Sequence, residues 1–245
     1  MKIYSVILYL QITVFGVSSS LAFDHSHAEL NSVLKAYVDA DGMVDYQGLK
    51  THRSTLDGYL DKTGAVSESE FDSWTRNQQL AFLINVYNGE TLKLIIDHYP
   101  VKSIKKIGGL FGQPWNLKSV TLFGKKTTLN TIEHEILRPK YKDPRIHFAI
   151  VCAAMGCPPL RNEAFTPENL NDQLDARGRF FLSQKNKNRL DDDILYLSPI
   201  FDWFKEDFTE KGSLQNFVTA FFPENIKGKK LRIKFTSYDW RLNKQ

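Results

Sequence analysis

The sequence predicts an α+β fold. Helical and extended stretches interleave along the chain without the regular strand-helix-strand rhythm of a doubly wound sheet. One segment, residues 74–99, is apolar nearly all round over Leu80-Ala-Phe-Leu-Ile-Asn-Val-Tyr-Asn88 and is closed by Pro100, as a helix buried in the middle of a fold must be. The extended stretches are few and short, enough for a small mixed or antiparallel sheet against that helix. The expectation is a single domain over residues 23–245.

Taken in order, residues 1–22 read as a leader. Met1-Lys2 is a minimal positive start, residues 3–17 are a mostly apolar run, and Ser18-Ser-Ser-Leu-Ala22 supplies small residues at the cleavage positions. The run is shorter than the ~20 residues of a spanning helix. Cleavage after Ala22 is expected, leaving an exported protein, periplasmic or secreted, with no stable membrane span. The chain as a whole has the composition of a packed protein, 42% apolar and 24% charged with 17 Phe and 4 Trp. Its mean hydropathy of −0.34 argues against a membrane protein. A net charge of +4 without a basic arm leaves no footprint for nucleic acid.

Residues 30–37 have helical spacing, ended by the turn chemistry of Asp39-Ala-Asp-Gly42 before a short extended piece, 43–46. The long central helix follows. Residues 120–123 and 127–129 flank Gly124-Lys-Lys as a hairpin, and Asn130-Thr-Ile-Glu133 fits a capping box for a helix through Leu137, stopped by Pro139. After Asp143-Pro144, residues 145–151 read as a strand by length and β-branched content. Residues 167–181 read as a helix and 231–235 as a last strand.

Chemistry concentrates in two places. Asn85 and Asn88 lie three apart on the most apolar helix, so they project from one face and must be satisfied there. Either they bond loop backbone and tie the core together, or they line a site, orienting an imidazole or donating to an oxyanion. The second place is residues 131–161, which gather two of the six His, both Cys and three Arg. A Cys where a buried strand breaks into a small-residue turn is placed as a nucleophile: Cys152 is held from behind, open in front, with free amides nearby. Strand alternation would send His147 and Cys152 to opposite faces, which makes His134 the better base; a positive helix end there favours its neutral imidazole. His147 is then a structural histidine. Glu133 is read either as the capping-box carboxylate or as a catalytic partner. Two Cys in an exported chain also suggest a disulfide, although the tight loop is not a comfortable match to bridge geometry. Zinc on His134, His147 and the two Cys matches no familiar spacing; no metal and no cofactor is expected.

These motifs, Val44-Asp-Tyr46, Phe82-Leu-Ile-Asn85-Val-Tyr-Asn88, Ile132-Glu-His134, Leu137-Arg138, Asp143-Pro-Arg145-Ile-His147-Phe-Ala, Cys152 to Cys157-Pro-Pro-Leu-Arg161 and Tyr238-Asp-Trp240, resemble in order and spacing the domain of unknown function 547 family. The resemblance implies a Cys at the position of Cys152 and allows Ser at that of Cys157, so that Cys152 has a job that does not need a disulfide. The family's mix of Cys, His and amide side chains is similar to papain-like or transglutaminase-like enzymes. Here the order Asn, His, Cys would require a permuted core.

The function expected is an exported cysteine-dependent hydrolase or acyl transferase acting on an amide or thioester. Cys152 is the nucleophile, His134 the base and acid, and Asn88 or Glu133 orients the imidazole. Asn85, Arg138, Arg145 and Arg161 are the substrate-binding candidates, the arginines for a carboxylate. The alternative is a non-catalytic binding domain with Cys152 and Cys157 bridged. In either case the partner is a small molecule, a peptide or an envelope component.

Overall fold

The computed structural model describes residues 22–109 and 113–245; the expected leader, save Ala22, lies outside them. The architecture is α+β, helix-rich with two small sheets. Four helices lead into the central one: α1 Ala28–Tyr37, α2 Tyr46–Thr51, α3 Ser54–Ala65 and α4 Glu68–Ser73. Of these only α1 has enough apolar periodicity to be read from sequence. Helix α2 is six residues long and rests on the cap Asp45, which accepts from the Gly48 amide at 2.8 Å.

Helix α5, Arg76–His98, is the buried centre. Thr75 and Gln78 form a capping box at its start, and the residues from Gln79 to Leu92 are all buried. Each large apolar side chain withdrawn here contributes on the order of 2 kcal/mol. Its nearest packing partners are α2, α3 and the helical segment at 131–137 rather than a broad sheet. The hairpin β1 Val120–Leu122 with β2 Lys125–Thr127 packs through α3. It turns at Phe123-Gly124, one residue earlier than expected, where both residues have positive φ (54° and 71°), as a two-residue hairpin turn requires.

Two expectations on the way to the site are overturned. The capping box at Asn130 does not form: Asn130 is already helical and makes no cap bond, while Thr128 takes the Thr131 amide at 2.9 Å. Residues Thr131–Leu137 form a π-helix running directly into α6, Arg138–Tyr141, so Pro139 sits inside the helix instead of stopping it. A proline lacks the N–H of a helical bond and crowds the carbonyl four residues back; widening the preceding turn accommodates both. The Arg138 amide accordingly bonds to the Glu133 carbonyl, five residues back.

Residues 145–151 are not a strand. Pro144–Phe148 is a 3-10 helix capped by Asp143, whose side chain accepts from the Arg145 amide. A short apolar run looks the same to periodicity whether it is a buried strand or a buried helical turn. This turn joins two cores. Ile146 belongs to the large one around α5; Phe148 belongs to a second built from Phe181, Leu195, Leu197, Phe201 and Phe208 among others.

The second core is enclosed by α7 Leu170–Leu182, a three-stranded sheet and the short helices α8 Ile200–Trp203, α9 Lys205–Thr209 and α10 Leu214–Thr219. The sheet is β3 Arg189–Asp191 antiparallel to β4 Ile194–Leu197, with β5 Arg232–Phe235 parallel to β4 on its other edge. Residues 236–245 then return as a strap across the large core. They bridge Val44 to Lys244 and Ala154 to Leu242, and Asn243 bonds the Tyr46 hydroxyl and the Gly42 carbonyl. No helix of the described residues is long and apolar enough to cross a membrane.

Candidate active site

The two cores, the π-helical segment and the strap meet around a cavity of about 340 Å³. Glu133, His134, His147, Cys152, Cys157 and Tyr238 all contribute to its lining, so the segment singled out from sequence is gathered there in space. The rest of the wall is largely aromatic: Tyr87, Trp115, Trp203, Phe204 and Trp240. Trp203, Tyr238 and Trp240 pack on one another with ring centroids 4.5–6.0 Å apart, and Trp203 remains 49% exposed.

Cys152 leaves the buried 3-10 turn at a loop that doubles back on itself. Ala153 takes a left-handed backbone (φ 55°), a conformation that costs a non-glycine residue roughly 1–2 kcal/mol. Gly156 lets the strap approach; a Cβ there would stand 2.8 Å from the Asp239 amide nitrogen. The fold-back brings the sulfurs of Cys152 and Cys157 to 3.0 Å as free thiols. The Cys152 amide also donates to Cys157 Sγ at 3.0 Å, and the Tyr238 hydroxyl lies 2.9 Å from Cys152 Sγ. Burial pushes the Cys157 thiol up, but the Cys152 thiol and amide outweigh it and hold Cys157 below the ordinary value. Cys152, donating to Cys157 and partly shielded from water, is pushed up. At rest, then, Cys157 is the more acidic sulfur.

His147 is 4% exposed, stacked at 4.0 Å on Phe204, and its Nε2 lies 2.7 Å from Asp207 Oδ2. With Nε2–H donating to the carboxylate, Nδ1 is the nitrogen left to take a proton. Arg138 holds the same carboxylate in a two-pronged grip at 2.7 and 3.0 Å. Burial alone would raise the Asp207 carboxyl; the bonds from His147 and Arg138 reverse that and hold it well below the usual carboxylate range. His134 accepts from Arg138 on Nδ1 at 2.7 Å, so its proton sits on Nε2, 4.0 Å from Glu133 Oε1. Glu133, freed from the capping box, accepts instead from the Tyr87 hydroxyl of α5 at 2.9 Å.

This arrangement revises several sequence-based expectations. His134 presents a donor where a base was expected, and the strand alternation that disfavoured His147 does not exist. Asn88 does not orient an imidazole: its amide bonds the Ala149 carbonyl and the Val151 amide, fixing the backbone just before Cys152. Asn85 bonds both backbone groups of Phe165. Neither asparagine lines the cavity. Arg145 is held by Asp143, Asp175 and Asn171, Arg161 by Glu163 through one nitrogen, and Arg138 by Asp207 and His134, and none of the three lines the cavity. The cavity therefore offers no guanidinium to a substrate carboxylate. In the turn after Cys152 the amides of Met155, Gly156 and Cys157 are taken by the carbonyls of Arg241, Asp239 and Ala154, whereas those of Ala153 and Ala154 make no backbone hydrogen bond among the described residues. Among the described residues no three His, Cys, Asp or Glu side chains are gathered as a metal ion would need.

Asp207 and Tyr238 join this arrangement without being among the candidates the sequence offers. Asp207 lies in a polar stretch with no signal beyond its charge. Tyr238 belongs to the Tyr238-Asp-Trp240 motif, but its place above the thiols depends on the path of the strap.

Residues 71–182 match the model of a family described as Protein of unknown function, DUF547. Over that span the resemblance drawn from the motifs holds. The match takes in α5, His134, His147 and both cysteines, and ends before Asp207 and the strap. No curated protein and no solved structure matches the chain.

Proposed function

We propose that this DUF547-family chain is a cysteine-dependent hydrolase or acyl transferase working outside the cytoplasm, with Cys152 as nucleophile and an amide or thioester as substrate. One observation carries the reading: Cys152 lines the same cavity as His147, whose Nε2 is held by Asp207. Nucleophile, base and orienting carboxylate are the parts of a triad, which is defined by geometry and not by order along the chain. The residue types are those of papain-like enzymes with Asp in place of the amide, which is a likeness of parts only.

The reaction begins with transfer of the Cys152 proton to His147 Nδ1. The thiolate attacks the carbonyl carbon, and the charge on its oxygen is met by the Nε2–H of His134. Asp207 stabilises the imidazolium, which then protonates the leaving amine or thiol as the tetrahedral intermediate collapses to a thioester on Cys152. Water or an acceptor amine, deprotonated by the same imidazole, releases the acyl group. The aromatic wall and the absence of a cavity guanidinium favour a flat or apolar acyl portion over a carboxylate.

The test is labelling of the reduced protein by a thiol-reactive acyl probe. Cys152→Ala should fold normally, as judged by circular dichroism, and take up no label. Label retained by that variant, or none on the folded reduced wild type, would sink the assignment.

A further inference from the structure

The same cavity holds a second device that acyl transfer does not use, namely the second thiol. We propose that Cys152 and Cys157 form a reversible dithiol-disulfide couple that exchanges with small-molecule disulfides entering the aromatic cavity. The observation is geometric. The sulfurs of two residues five apart stand 3.0 Å from each other, against about 2 Å for a disulfide bond. They are held there by a left-handed turn at Ala153, by the Ala154 carbonyl that accepts the Cys157 amide, and by the strap across Met155 and Gly156. A structural bridge would have no need of an open face. Here both cysteines line the cavity, Cys152 half-buried and Cys157 the more enclosed at 6% exposure.

The surroundings separate the roles of the two sulfurs. Cys152, the more exposed of the two, is the one an incoming disulfide reaches more readily. Cys157 receives the S–H and the N–H of Cys152, and behind it Lys187 donates to its carbonyl at 2.8 Å. Those contacts favour the thiolate on Cys157, as for an acidic member of a catalytic pair. Tyr238, 2.9 Å from Cys152, is the hydroxyl over the reacting sulfur.

The step balances as follows. Cys152 Sγ attacks one sulfur of the disulfide RSSR, its proton passes to the thiolate of Cys157, and the S–S bond breaks with departure of RS⁻. Cys157 returns that proton to the departing thiolate, giving RSH, and its own thiolate attacks Cys152 Sγ of the mixed disulfide. The Cys152–Cys157 bond forms and a second RS⁻ leaves. The protein pair is oxidised by two electrons, and RSSR is reduced to two thiol equivalents. Excess RSH runs the sequence backwards.

The test uses the full protein equilibrated in reduced and oxidised glutathione at graded ratios, quenched with an alkylating agent and weighed intact. Wild type should lose both alkylatable thiols together in one two-electron transition. Cys157→Ser should accumulate a glutathione adduct on Cys152, because the resolving sulfur is gone. In Cys152→Ser the buried Cys157 should acquire the adduct at least about tenfold more slowly. Two thiols that survive the most oxidising buffer in wild type would overturn the proposal whatever the variants do. Equal adduct rates on the two single-cysteine proteins would overturn the division of roles. The acyl-probe experiment is run on fully reduced protein, so either activity can fail without the other.

Discussion

Asp207 is the residue on which most of the site's charge depends. It takes one hydrogen bond from His147 and two from Arg138, and Arg138 passes a further bond to His134. Replacing it by Asn keeps the shape and removes the charge. The expected result at neutral pH is a loss of about 1.5–3 kcal/mol of stability, the scale of a hydrogen bond to a charged group, read from urea denaturation. The pH dependence has a definite sign. A carboxyl held below its unfolded value contributes stability that is complete above that value, near 3.9, and is lost as pH falls through the folded one. The gap between wild type and Asp207→Asn should therefore stay full above pH ~4 and narrow progressively as pH falls below it toward the folded value. Acyl-probe labelling of Cys152 should fall in the variant, while a merely structural Asp207 would leave the labelling of the still-folded fraction unchanged.

At the scale of elements, α5 holds the site by its two asparagines. Asn88→Ala strands the buried Ala149 carbonyl and Val151 amide and should cost about 2–4 kcal/mol. Asn85→Ala should cost a similar amount at Phe165. Only the Asn88 change should alter the alkylation rate of Cys152, since only Asn88 fixes the backbone next to it. Further along the same helix Glu90 lies buried beneath the hairpin, and burial pushes its carboxyl up to about 7 despite Lys93 and Lys126. A carboxyl raised on folding contributes stability that is full below its unfolded value, near 4.3, and is lost as pH rises through the folded one. Glu90→Gln should flatten the fall in thermal midpoint between pH 5 and 8 and leave the variant the more stable at pH 8. Helices α1, α5 and α7, the first hairpin and β5 were legible because each carries either a long apolar stripe or explicit turn residues. Helices α2–α4 and α8–α10 were not, because pieces of four to twelve residues owe their form to caps and to neighbours. The turn at 144–148 was misread for a different reason: it is apolar on every side, so no periodicity survives to tell strand from helix. The cysteines, His134 and Glu133 were found as a local density of reactive residues, whereas Asp207 and Tyr238 reach them across 50 or more positions, beyond any local pattern.

In the whole molecule, the two cores touch through the turn that bears His147, and the strap covers the thiols from a third direction. Deleting residues 238–245 removes the Tyr238 hydroxyl, the carbonyls that hold Met155 and Gly156, and the bridges to Val44 and Ala154. The expected outcome is faster hydrogen exchange at residues 38–46 and 152–157, with α5 and the second core still protected. Both thiols should then alkylate at similar rates, because the difference between them depends on the covered geometry. The strap also has a consequence for biogenesis. Residues 238–243 are made after every other part of the pocket, so a growing chain can assemble most of both cores, lacking only Leu242 and the packing of Tyr238 and Trp240, while its thiols still lie open, unpaired with tyrosine and accessible to whatever oxidant surrounds it. For that interval any pairing of the cysteines is governed by the environment of the nascent chain, and only the arrival of these last pieces places the couple under the protein's own control.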